Sequence, residues 1–187
     1  MYAINNISGQ FLSSDLDNGL YIVIHNPNEV PPHILLIHKK KYYSLAYNKC
    51  VVGHDAIKLL SLFESKKTPL LLLSVSVNSS KENETIIAKT FSKYTVAGLD
   101  NTTCLTPIRE SLSEILSVSF SKINFIFEMI PLLELNHLIK EVKQSNLESN
   151  ISNATYLLND YNQNDILTKI KNFQLKSNHG STYTNKL

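Results

Sequence analysis

The stretch GLYIVIHNPNEVPPHILLIHKKKYYSL, residues 19–45, has the pattern of three successive strands. Gly19–His25 is apolar and rich in β-branched residues, so it reads as a strand. Asn26–Pro32 contains Asn-Pro and Pro-Pro, which stop strand and helix alike, and the chain turns there. His33–His38 is a second apolar strand. Lys39–Lys41 makes a turn and Tyr42–Tyr47 a third strand, so these two form a hairpin.

Beyond the hairpin, Gly53-His54-Asp55 leads into AIKLLSLFES. Ile57, Leu60 and Phe63 fall on one helical face, which predicts a helix over Asp55–Ser65. Thr68–Val77 starts at a Pro and is apolar from its outset, the pattern of a buried central strand. Asn78–Asn83 reads as a polar loop and Glu84–Val96 as one strand or a bent pair. Pro107 belongs in the first turn of a helix, because it has no N–H to give. The N-cap therefore falls within Cys104–Thr106, with Thr106 the neatest choice, and Ile108, Leu112, Ile115 and Leu116 form the apolar face. A further helix is expected over Ile123–Val142, kinked at Pro131, and residues 1–18 read as a lead-in.

The expectation is one α+β domain over residues 1–142, a polar helical extension over 143–175 and a flexible tail over 176–187. Its mainly antiparallel sheet takes in residues 19–25, 33–38, 42–47, 68–77 and part of 84–96, packed against helices that follow Cys104.

The totals narrow the function. The chain has 187 residues, 43% of them hydrophobic, enough for one domain with a substantial core. A formal net charge of +2, with dispersed lysines, argues against a nucleic-acid partner. Cys50 and Cys104 cannot make a disulfide framework or a zinc finger. No apolar run is long enough for a membrane span, and no basic and apolar leader opens the chain. The cytoplasm is the simplest location, with signal-independent export left open. No Gly-rich phosphate loop is present, and a His25/His33/His54 metal cluster lacks short ligand spacing, so neither a cofactor nor a metal is expected. The remaining partners are a small-molecule or peptide substrate, or another protein.

The segment DNTTCLTPIRE, residues 100–110, places Cys104 where a helix begins. Unpaired N–H groups and the helix dipole stabilise a thiolate there, and a nearby imidazole completes a nucleophile. His33, after Pro31-Pro32 and at the mouth of a strand, is the candidate base. The plainer readings are a small buried hydrophobe at Cys104 and a half-exposed loop-edge imidazole at His33.

The order of these parts resembles a known group. GLYIVIH, a short loop and PHILLIHKKKYYSL resemble the strand–loop–His–strand–turn–strand unit of the papain-like NlpC and lecithin:retinol acyltransferase proteins. In the circularly permuted members the His precedes the Cys, which lies in an Asn-Cys motif at a helix start. DNTTCLTPIRESLSEIL is similar to that motif, and the resemblance covers roughly residues 19–118. It implies a papain-like permuted topology, with Cys104 as nucleophile, His33 as base and Ser44 as the group that orients the ring. The implied chemistry is hydrolysis or transfer at an amide, ester or thioester through an acyl-enzyme. Two departures stand out. Leu20 follows Gly19 where the group has Asp, and Tyr43 and Ser44 stand where it has His, Asn or Glu. They fit a degenerate member, or a non-catalytic binding or regulatory protein on the same scaffold.

Overall fold

The structure, a computed structural model, describes residues 1–17, 19–78, 80–98 and 102–180. It is an α+β fold built on a seven-stranded sheet and a two-stranded one. The strands of the opening stretch are β3 (Leu20–His25), β4 (His33–His38) and β5 (Lys41–Leu45), and β6 (Cys50–Asp55) continues the meander. α1 (Ala56–Ser65) then crosses one face, and β7 (Leu70–Val75) pairs with β3 on its other side. All six residues of β7 are buried, as the unbroken apolar run requires of a central strand.

The outer strands come from both chain ends. β8 (Ile139–Ser145) runs antiparallel to β7, and β2 (Ile7–Gln10) lies parallel to β8. The sheet order is β2-β8-β7-β3-β4-β5-β6, antiparallel except for the β2–β8 pair. β1 (Tyr2–Ile4) and β9 (Tyr156–Leu158) form the small antiparallel sheet. Within the segment expected to be a lead-in, residues 1–17 instead supply β1 and β2.

Side-chain alternation divides the core in two. Tyr21, Val23, Leu35, Ile37 and Leu72 face α1 with its Ala56 and Leu60. Ile22, Ile24, Ile34, Leu36, Leu71 and Leu73 face the remaining helices. These are α2 (Lys81–Phe91), α3 (Leu105–Leu116), α4 (Ile126–Leu135) and α5 (Gln163–Gly180).

The 84–96 region holds no strand, and α2 occupies most of it. Thr85, Ile86, Ile87 and Thr90 favour β structure, but Ser80 Oγ accepts from Asn83 N at 3.1 Å and starts a helix. Asn83, Ile87, Thr90 and Phe91 then fall on its buried face, one helical period apart. The expected 123–142 helix is α4 followed by β8. His137, with a φ of 55°, breaks the chain out of the helix. The 142/143 division falls inside β8, and 143–175 contains strand residues as well as part of α5. α5 runs on through residues 176–180 of the expected tail, and 181–187 lie outside the described residues.

Candidate functional site: a cavity at the splayed end of the sheet

β4 pairs with β3 along its whole length, from Leu20↔His38 to His25↔His33. With β5 it pairs only through Leu36↔Tyr43, Ile37↔Tyr42 and His38↔Lys41. The two strands then part. Ala46, just beyond β5, satisfies its backbone elsewhere. Its N–H donates to the Lys49 carbonyl at 2.9 Å, and its own carbonyl accepts from Ala97 N at 2.8 Å. Backbone groups that find other partners allow a sheet to open without leaving buried polar atoms unpaired.

The gap becomes a cavity of about 320 Å³. Ile34, Leu45, Ala46 and Tyr47 line it from the sheet, and Thr103, Cys104 and Leu105 from the start of α3. α5 closes it with Ile166, Lys169, Ile170 and Phe173, which recur at helical spacing. The Phe173 ring stacks on Tyr47 with centroids 4.6 Å apart and planes 4° apart. Tyr161 also lines the cavity. Its hydroxyl accepts from Ile126 N at 3.4 Å, and burial, with Cys104 beside it, raises its pKa.

The polar groups gather where β3 ends. Lys169 Nζ donates to Glu29 Oε2 at 2.6 Å and to the Pro31 carbonyl at 2.5 Å. Asn26 Nδ2 steadies the same carboxylate at 2.9 Å. The Lys169 bond, followed by Asn26, holds the Glu29 carboxyl below its usual range. His25 lies against Phe63 of α1, ring centroids 4.6 Å apart, and edge-on to His33 at 6.2 Å.

The three residues singled out in the sequence divide into a pair and a single. His33 Nε2 lies 2.8 Å from Ser44 Oγ, so base and orienter meet. Burial pushes the His33 pKa down to about 4, and the charges of His25 and Lys169 act in the same sense. Alternation along β4 sets His33 on the α1 side with Leu35 and Ile37. Cys104 lines the same cavity but packs with the Ile34 side of the core. Among the described residues no hydrogen bond joins it to His33.

Cys104 is the residue just before α3, within the expected capping window but not at its favoured Thr106. Burial raises its thiol pKa, against the opposing pull of the Ile34 backbone, nearby α3 backbone groups and the Lys169 charge. The first turn of α3 has few donors left. Leu105 N donates to Thr103 Oγ1 at 3.2 Å, Thr106 N donates to the Thr103 carbonyl at 3.1 Å, and Pro107 has no N–H. Asp100 and Asn101 of the sequence motif lie outside the described residues. Cys50 Sγ donates to the Phe91 carbonyl at 3.4 Å, and burial raises its pKa too.

His54 stands on β6, its ring edge-on to Tyr42 at 6.0 Å, and is not among the cavity residues. Sequence reasoning missed Glu29, Tyr161, Lys169 and Phe173. The available signal was the spacing of Ile166, Ile170 and Phe173, a helical stripe inside a largely polar segment.

No family model matches the chain, and neither a curated protein nor a solved structure matches it. No helix among the described residues is long and apolar enough to cross a membrane.

Proposed function

We propose that this is a binding protein whose cavity beneath α5 receives a small apolar or amphipathic molecule. One observation carries the reading. The cavity is a concave space of about 320 Å³ with mainly apolar walls and a few convergent polar groups. Small-molecule sites have that character and lie at the low end of their size range near this volume. The neutral, Ser44-bound imidazole and the raised thiol favour binding over chemistry in the resting protein. The test is titration with N-phenyl-1-naphthylamine, a neutral probe that brightens in apolar surroundings. Saturable binding is expected, with loss in Ala46→Phe, which fills the cavity from its wall. Equal binding by the two proteins contradicts the reading.

A second reading, thiol-dependent hydrolysis or acyl transfer, is favoured by the presence of Cys104 and His33 on one cavity. The likeness of residues 19–118 to the permuted papain-like group supports it. Cys104 would attack a carbonyl carbon, His33 would take the proton and return it to the leaving group, and Ser44 would hold the ring. Turnover of a generic thioester that vanishes in Cys104→Ala supports this reading. Turnover at the same rate in both proteins removes it.

A further inference from the structure

The cavity has two chemically different ends. Ile34, Leu45, Ile170 and Phe173 belong to the apolar one. Lys169 stands at the other, one helical turn before Phe173, which corresponds to a rise of about 6 Å. Its ammonium has three donors, and Glu29 and the Pro31 carbonyl take two of them. Among the described residues no acceptor meets the third, which leaves it for a bound molecule. The Lys169 side chain is 24% exposed, whereas that of Glu29 is 52% exposed and can return to water at small cost. A resident carboxylate at the rim is therefore the group most readily exchanged for another.

We propose that the cavity takes a monocarboxylate with an aliphatic or single-ring body, its carboxylate on Lys169 in place of Glu29. This rests on the cavity being a ligand site. The body lies against Ile34, Leu45, Ile170 and Phe173, and the released Glu29 turns outward. Charge is conserved at the lysine, since one carboxylate replaces another and no proton transfer is required. The Lys169 ammonium offers a single positive charge at this end of the cavity, and burial lowers the pKa of both His25 and His33 beside it, which suits a singly charged ligand.

Isothermal titration calorimetry of the full chain with octanoate, octanol and octylamine tests the assignment. Octanoate is expected to bind several-fold tighter than octanol, because its carboxylate takes over a lysine that the half-exposed Glu29 holds only weakly. Lys169→Met is expected to abolish that difference, bringing octanoate down to the octanol affinity of the same variant. Glu29→Gln is expected to strengthen octanoate several-fold by removing its competitor, a gain that a misfolded variant cannot give. Equal affinities for octanoate and octanol, or a preference for octylamine, overturn the carboxylate assignment but leave the cavity as a ligand site. Binding of none of the three overturns both.

Discussion

At a helix start a thiol is ordinarily drawn toward its thiolate, yet at Cys104 burial moves it the other way. Alkylation by iodoacetamide is therefore expected to be slower at Cys104 than at a free cysteine near neutral pH, with the rate still rising past pH 9. Mass spectrometry across pH 6–10 checks this. The same experiment on His33→Gln separates the two functional readings. An unchanged Cys104 profile is expected of a thiol with no imidazole partner, and a slower one of a nucleophile–base pair. His33 carries its own signature. Its folded pKa of about 4 lies below the roughly 6.5 of an unfolded chain. Between these values the unfolded state binds more protons. The contribution is thus complete above pH 6.5 and is lost as the pH falls toward 4. The loss amounts to on the order of 3 kcal/mol. Urea unfolding of wild type and His33→Gln at pH 7, 5.5 and 4.5 should show a steeper fall for the wild type. Parallel pH dependences contradict the assignment.

Elements differ in how openly the sequence declares them, and the reason lies in where their stabilisation comes from. β3, β4 and β7 are continuous apolar runs closed by Pro, Asn or Lys turns, and they stand where they were expected. α1 follows its Asp55 cap, whose carboxylate accepts from Ile57 N at 2.9 Å. α2 depends on Ser80, and Ser80→Ala is expected to cost about 1 kcal/mol in chemical denaturation. A change within error there would show that burial of Ile87 and Phe91 holds the helix unaided. β8 was illegible because Lys140, Glu141, Lys143 and Gln144 suit a helix, and tertiary partners place them in the sheet. Lys143 pairs with Asp15 at 2.9 Å, and the Gln144 carbonyl accepts from Phe11 N at 2.8 Å. α5 was half legible, its apolar stripe visible but its docking surface absent from any local pattern. Its attachment rests partly on the Tyr47–Phe173 stack and the Lys169–Glu29 pair. Phe173→Ala is expected to remove about 1–2 kcal/mol and to open α5 to protease before the sheet unfolds. Cleavage starting elsewhere would contradict that order.

The whole molecule explains why the candidate site could be read only in part. Cys104, His33 and Ser44 are conspicuous as residue types, but a cavity is a relation between elements. It arises because β5 leaves β4 after three paired positions and because a helix from the far end of the chain covers the gap. Neither event has a local signal, since register loss and helix docking are settled by packing. Binding requires that a molecule enter that gap. Methyl NMR of isoleucine- and leucine-labelled protein, titrated separately with octanoate and with octanol, asks this directly. Shifts are predicted at Ile34, Leu45, Ile166 and Ile170, with Leu35 and Ile37 on the α1 face unmoved. Unperturbed methyls at the first four positions, or shifts spread over both faces alike, would contradict it.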